Sequence, residues 1–366
     1  MSLMGGYGIS NGMTLHREQT QRLFVGKVPV GGGAPISIQS MTKTLTSDIR
    51  ATVDQVKALE DAGCDIVRIS IPDEESLMAF PHIKREASIP VVADIHFDHQ
   101  LAAGAMEAGA DGIRINPGNI GRQEKVGEIA RIAIERGIPI RVGVNMGSVK
   151  RRLLTKHGKD RVGALVESAN GQVQMLEDMG VRAIKISLKS SDVRETIDAY
   201  RRFAQISNWP LHLGVTEAGT VFSGAIRSAA GLGILLQEGI GDTIRISLSG
   251  DPVKEIMASK ILLECLGLRE EGIRVIACPT CARANADVAA ISSAVEEAVA
   301  GIRNHMVVAI MGCVVNGPGE ARDADLGVAC DAKGALLFVK GKPLKRIQYN
   351  EILPTILAEI EKESKR

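Results

Sequence analysis

The chain has 366 residues, with 44 Lys and Arg against 43 Asp and Glu and a formal charge of +1. That balance excludes the basic excess of a nucleic-acid binder and the charge run of an acidic tail. Apolar residues make up 45 %, yet no apolar stretch approaches the ~20 residues of a membrane-spanning helix. The length accommodates one large domain and a smaller one. The N-terminal residues carry no apolar core like that of a secretory leader, so a cytoplasmic location is expected.

In chain order, short β-rich runs occupy 35–41, 65–70, 90–96, 112–116, 139–145, 183–188, 211–216 and 243–248. Helical patterns separate them. In 52–62, Val53, Val56 and Leu59 recur every third residue, and Gly63 follows as a C-cap. The segments Glu107-Ala-Gly109 and Glu135-Arg-Gly137 repeat the same helix-stop, strand-start punctuation. Eight β–α alternations predict an α/β fold, a (β/α)8 TIM barrel over 13–268. A doubly wound sheet usually opens on a glycine-rich turn after its first strand; Gly31-Gly-Gly33 precedes the first strand here and reads as a loop.

A smaller α/β domain is expected over 269–366. Val288, Ile291, Val295, Val299 and Ile302 mark one face of a helix, and 306–310 a strand. Strand 335–339, a Lys-Gly-Lys-Pro turn and a helix near 350–362 follow.

Inside the barrel strands, Arg68, Arg114, Arg141, Lys185 and Arg245 interrupt apolar runs. A buried, unpaired cation costs several kcal/mol even after relaxation. The in-strand carboxylates Asp94 and Glu217 are too few to balance five cations. Carboxylates on other elements or an anionic ligand must supply the rest, and barrel active sites sit at the strand C-termini. The expected ligand is a small polyanion, most naturally a phosphate or diphosphate. Asn116, Asn145, Ser187, Lys189, Thr216 and Ser247 stand at the same edge, where Ser and Asn also serve as turn and cap residues. Glu217 and His96 could each transfer a proton. For His212, inside its strand, a structural role is expected.

Six cysteines without a secretory leader read as reduced thiols or metal ligands. Cys64, Cys265 and Cys330 stand singly among small or apolar residues and are expected to be buried. Cys278-Pro-Thr-Cys281 and Cys313 form a three-thiolate set, and Glu320 follows in a Gly-Pro-Gly-Glu turn. Soft thiolates select iron–sulfur clusters or zinc. Three thiolates with one exchangeable oxygen describe a redox cluster that keeps one iron for substrate. A zinc-stabilised module with His305 as fourth ligand, on a barrel synthase without redox chemistry, is the alternative.

With these residues the chain resembles the 4-hydroxy-3-methylbut-2-enyl diphosphate synthase family in its two-domain bacterial form. The resemblance runs from Pro35-Ile-Ser-Ile-Gln-Ser-Met-Thr42 through Leu211-His-Leu-Gly-Val-Thr-Glu-Ala-Gly219. It peaks in Cys278-Pro-Thr-Cys281-x-Arg283 and Gly312-Cys-Val-Val-Asn-Gly-Pro-Gly-Glu-Ala321. It implies a [4Fe-4S] cluster held by Cys278, Cys281, Cys313 and Glu320, and a cyclic diphosphate substrate in the barrel. Arg68, Asp94, Arg114, Asn116, Arg141, Asn145, Lys185, Ser187, Arg245 and Ser247 would bind it. Flavodoxin or ferredoxin would donate electrons to a head-to-tail homodimer. After Leu326-Gly-Val-Ala329, many relatives continue with two glycines where this chain has Cys330-Asp331, which puts the shape of a loop there in question.

Overall fold

The computed structural model describes residues 16–270, 272–302, 304–314, 319 and 323–364. They fall into two compact units, Met1–Lys57 with Cys64–Glu255 and Ala58–Gly63 with Ile256–Arg366. The division comes inside the helix Val253–Cys265, earlier than the change of composition after 268.

In the first unit a hairpin of β1 (Leu23–Val25) and β2 (Val28–Val30) precedes eight parallel strands. These are β3 (Ser37–Met41), β4 (Ile66–Ser70), β5 (Val91–Asp94), β6 (Gly112–Ile115), β7 (Ile140–Asn145), β8 (Ile184–Lys189), β9 (His212–Leu213) and β10 (Thr243–Ile244). Hydrogen bonding follows the order β8-β7-β6-β5-β4-β3-β10-β9. A parallel bridge from Ile186 to Leu211 joins the two ends into a closed barrel. The sequence does not announce the hairpin, because its strands have three residues each. Leu23, Val25 and Val30 pack on Ile66 and Val92, covering the N-terminal end of the barrel.

Period-two alternation sorts the strand residues. In β7, Ile140, Val142 and Val144 are fully buried, while Arg141, Gly143 and Asn145 have the opposite parity. In β8, Lys185, Ser187 and Lys189 do the same in register with them. The last two strands are shorter than their β-rich runs. Regular pairing ends at Leu213 and Ile244, and isolated bonds such as Thr216 N–H to Ser190 O (3.2 Å) continue the alignment. The helix stops agree with the sequence: Gly63, Gly109 and Gly137 have φ of 91°, 93° and 66°, open to glycine without strain.

The second unit holds a five-stranded sheet in the order β11 (Ile273–Ala277), β12 (Met306–Met311), β13 (Leu326–Asp331), β14 (Gly334–Val339), β15 (Lys342–Ile347). The first three strands are parallel, and the β13–β14 and β14–β15 pairs are antiparallel. Val288, Val295 and Val299 of the helix Val288–Val299 and Ile352, Ile356 and Ile360 of the helix Ile352–Ser364 share one core with the sheet. The region after Ala329 is no loop. The β13 strand runs through Cys330 and Asp331 into a two-residue turn at Ala332-Lys333. Cys330 is fully buried in the common core, which pushes its thiol up to about 11 and makes it packing material. Cys64 is likewise buried, its thiol pushed to about 12. Cys265 departs from expectation: it is exposed in the last turn of its helix.

Candidate active site

At the C-terminal mouth of the barrel lies a cavity of about 200 Å³ lined by Arg68, Asp94, His96, Arg114, Arg141, Asn145, Ser187, Lys189, Arg245 and Ser247. A second, of about 560 Å³, shares His96, Arg114, Asn145 and Thr216 and adds Asn116, Asn119, Ser148 and Glu217. Nearly every residue expected to bind the anion or move a proton therefore converges on one place. Lys185 does not. It is the first inward residue of β8, two positions below Ser187, and lines a pinhole of about 10 Å³ with Gln39 and Arg141.

Room for the cations is made by two glycines. A Cβ on Gly143 would lie 2.5 Å from Arg114 Nε, and one on Gly214 would lie 2.4 Å from Lys189 Nζ. Lys189 reads from sequence as flanking its strand. It is 7 % exposed and makes no hydrogen bond or ion pair among the described residues. The parity it shares with Lys185 and Ser187 is the signal that places it inside.

Two carboxylates face these cations. Asp94, 2 % exposed, accepts from Arg114 Nη1 at 3.0 Å and lies 3.4 Å from Arg68 Nε. Burial opposes its ionisation, but Arg68, His96 at 3.8 Å, Arg114 and Arg141 outweigh it and hold the carboxyl far below the usual range. The other carboxylate, Glu255, escapes a reading of the strands because it sits in the first turn of Val253–Cys265. It is 1 % exposed and accepts from Ser40 Oγ at 2.8 Å and Leu248 N–H at 3.1 Å. It also pairs with Lys43 at 3.1 Å and Arg245 at 3.4 Å. A Pro-Val-Lys-Glu start to the helix after the last barrel strand is the only sequence cue.

Five cations thus line the mouth cavity against two carboxylates. Arg141 is 3 % exposed, with Ser187 Oγ at 3.4 Å as its side-chain partner. Burial, then the neighbouring Arg68 and Arg114, disfavour its charge. Burial, then Arg141 and Arg245, do the same at Lys189. Arg68 is lowered to about 10, first by burial and then by Arg245 and Arg114 against the help of Asp94. Below them, Lys185 falls to about 7 through burial and Arg141. A negative charge in the cavity would favour the charged form of each of these groups. His212 is fully buried, its imidazole kept neutral by burial and the surrounding cations, and its carbonyl accepts from Tyr200 Oη at 2.5 Å.

Glu217 is exposed at the rim of the larger cavity with φ of 53°, a left-handed conformation that is uncommon for a non-glycine residue. Such outliers concentrate at functional sites. His96 stands with Nε2 3.0 Å from Arg114 Nη1. Asn116 accepts from Gly118 N–H at 3.1 Å, so its carboxamide oxygen caps the turn after β6 while the residue lines the cavity.

In the second unit, Cys278 directly follows β11 and Cys313 follows β12 one residue on. Cys278 N–H donates to Ile310 O at 3.0 Å, so both cysteines leave the same end of adjacent parallel strands. Thr280 has φ of 58°, which turns the Cys278–Cys281 loop sharply. The Arg283 guanidinium hydrogen-bonds Cys281 and lowers that thiol, and it feels the charges of Cys313 and Cys278 as well. Arg283 thus carries its positive charge in the neighbourhood of all three thiols. Among the described residues no three Cys, His, Asp or Glu side chains converge on a single metal ion. His305 precedes Met306, at the opposite end of β12 from Cys313. The six residues of β12 span ~20 Å at the usual rise, so His305 is no zinc ligand with them. Glu320 lies outside the described residues.

Residues 20–260 match the GcpE TIM-barrel domain, and residues 274–362 match the GcpE protein C-terminal domain. A 4-hydroxy-3-methylbut-2-en-1-yl diphosphate synthase (flavodoxin) of Geobacter sulfurreducens is 51 % identical over 346 residues, 94 % of this chain and 98 % of its own. The protein of that description from Ruminiclostridium cellulolyticum is 49 % identical over 94 % and 98 % of the two chains. Among solved structures, 3-dehydroquinate dehydratase of Geobacillus kaustophilus aligns with a TM-score of 0.50 and 14 % identity, over 68 % of this chain and 98 % of its own. That likeness concerns the barrel fold alone.

Proposed function

The chain belongs to the GcpE family, and from that premise we propose how its residues divide the work of a 4-hydroxy-3-methylbut-2-enyl diphosphate synthase. The reaction is a reductive ring opening and dehydroxylation. 2-C-methyl-D-erythritol 2,4-cyclodiphosphate takes up two electrons and two protons, loses one oxygen as water, and becomes (E)-4-hydroxy-3-methylbut-2-enyl diphosphate. This is a step of non-mevalonate isoprenoid biosynthesis.

Barrel residues 13–268 bind and orient the diphosphate; residues 269–366 carry the cluster. Arg68, Arg114, Arg141, Lys189 and Arg245 neutralise the diphosphate, and Asn116, Asn145, Ser187 and Ser247 accept or donate hydrogen bonds around it. Asp94 holds Arg68 and Arg114 in place. Lys185, beneath the cavity floor, acts on the anion through its charge and not by contact. Glu217 delivers a proton at the rim, with His96 as the second candidate. Cys278, Cys281 and Cys313 hold a [4Fe-4S] cluster, with Glu320 on the remaining iron. When bound, that cluster supplies electrons one at a time and a Lewis-acidic iron.

The observation that carries this reading is the excess of positive charge in the barrel mouth, five cations against the two carboxylates Asp94 and Glu255. The electron donor is a flavodoxin or ferredoxin. No helix among the described residues is long and apolar enough to cross a membrane, and the proposed setting is the cytoplasm, with neither membrane nor nucleic acid as partner. The proposed assembly is a head-to-tail homodimer. The test is an anaerobic assay of reconstituted protein with the cyclodiphosphate and a chemical one-electron reductant. The linear allylic diphosphate is the expected product. Recovery of unchanged substrate from protein with a full complement of iron and sulfide would overturn the proposal.

A further inference from the structure

The strand register of the second unit places charged residues relative to the thiols. One row across the sheet runs from Cys278, through Met311 and Ala329, to Leu336 and Arg346. The row before it runs through Ala277, Ile310, Val328 and Leu337 to Lys345. Because β13 and β15 run with β11 and β12, the Lys345 end of β15 and the Ala332-Lys333 turn lie at the edge from which Cys278 and Cys313 emerge. Strands lie ~4.8 Å apart. The turn after β13 is thus one strand from Cys313, and Lys345 and Arg346 three from β12.

That edge is basic. Lys333 and Lys345 are exposed and make no ion pair among the described residues. Arg346 is more than half exposed and bridges to Asp331 at 2.6 Å. Arg283 stands beside Cys281. At the same edge, Val314 next to Cys313 is 40 % exposed and Tyr349 is 38 % exposed, the latter donating through its hydroxyl to Asp331 O. Small apolar contacts with a charged rim are the anatomy of a transient protein interface. Lys and Pro on an edge strand also discourage strand-to-strand aggregation, and that suffices for Lys342 and Pro343 at the far end of β15. It gives no reason for Lys333, which lies in a turn.

We infer that the edge formed by Lys333, Lys345, Arg346, Val314 and Tyr349 docks the electron-donor protein, a small one-electron carrier with an acidic face around its cofactor. The docking rests on the proposed redox function, which sets the need for a protein partner close to the thiols. Rim charges act chiefly on association rate and salt dependence, so the contribution of these lysines is kinetic.

The experiment compares two charge reversals on the same sheet: K333E/K345E at the thiol edge and K340E/K342E at the opposite end. Each is reconstituted anaerobically and assayed twice, with reduced flavodoxin and with reduced methyl viologen. Expected for K333E/K345E is a rise of about tenfold in the KM for flavodoxin and a weaker dependence on ionic strength, with unchanged viologen-driven turnover and cluster absorbance. K340E/K342E should behave as the parent in both assays. Equal KM values for flavodoxin in all three proteins would overturn the docking site, as would equal losses in both variants. Loss of viologen-driven turnover in the parent itself would instead remove the functional reading on which the site depends.

Discussion

Replacing Asp94 by Asn probes the balance of charge in the barrel. The carboxylate sits 3.0 Å from Arg114 Nη1 and 3.4 Å from Arg68 Nε, and is 2 % exposed. At an effective dielectric near 20, each contact is worth ~5 kcal/mol of Coulomb attraction before desolvation is subtracted. Removing one partner of a buried ion pair typically destabilises by ~3–5 kcal/mol, because the remaining charge is left uncompensated. Two guanidiniums are left so here. For a domain of this size the loss corresponds to a fall of roughly 10 °C in melting temperature. The deficit is of negative charge, so an anion should repair it: inorganic pyrophosphate should raise the melting temperature of D94N by more than that of the parent. The pH dependence has a definite sign. A carboxyl depressed in the folded state contributes stability above its unfolded pKa near 4, and that stability is lost as pH falls below it. The parent should therefore lose the advantage over D94N on acidification below about pH 4. Scanning calorimetry with and without pyrophosphate reads all three effects. A D94N variant that melts within about 1 °C of the parent and gains no more from pyrophosphate would refute the idea that the cavity is short of negative charge.

Serine in place of Cys278, Cys281 or Cys313 should abolish the brown cluster absorbance, whereas C330A should keep it and lose only about 1–2 kcal/mol in chemical denaturation. Glu217→Gln should lower turnover by ~10²–10⁴ with an unchanged cluster spectrum, as expected for loss of a proton donor; parent-like turnover would reassign that role to His96. Lys185 falls to about 7 when folded against an unfolded value near 10.4. Between those values the unfolded chain holds the extra proton, so stability rises with pH. K185M should melt above the parent at pH 7 and converge with it near pH 10, as followed by thermal denaturation across buffers.

Much of the barrel was legible because its signals are local. Helix-stopping glycines at 63, 109 and 137 and the β-rich runs between them mark the βα repeats wherever a strand has four or more residues. The three-residue strands of the N-terminal hairpin fall below that threshold, whereas the runs 211–216 and 243–248 do mark β9 and β10, whose regular pairing is only shorter than the runs. The cations could be counted from sequence but their counter-charges could not. Asp94 was visible inside a strand, whereas Glu255 reaches Arg245 from a helix, a relation only tertiary structure creates. Lys189 stands one residue past the run 183–188, and strand parity turns it inward at the mouth the sequence assigns it to. In the second unit the Cys-x-x-Cys spacing carried the metal chemistry. The sequence does not mark strands β11, β13 and β15, and Cys330 reads as standing beside a loop, because Gly327 and the charged β15 obscure any alternation. The apolar neighbours of Cys265 suggest burial, yet it is exposed in the last turn of its helix.

The central claim is that electrons reach a diphosphate held in the barrel through a thiolate-bound iron–sulfur centre. Its most direct test is turnover of the cyclodiphosphate in oxygen-free preparations with graded cluster content, each analysed for iron and sulfide. Product formation should rise in proportion to the cluster and extrapolate to zero in its absence. Turnover that persists at full rate in iron-free protein would contradict it.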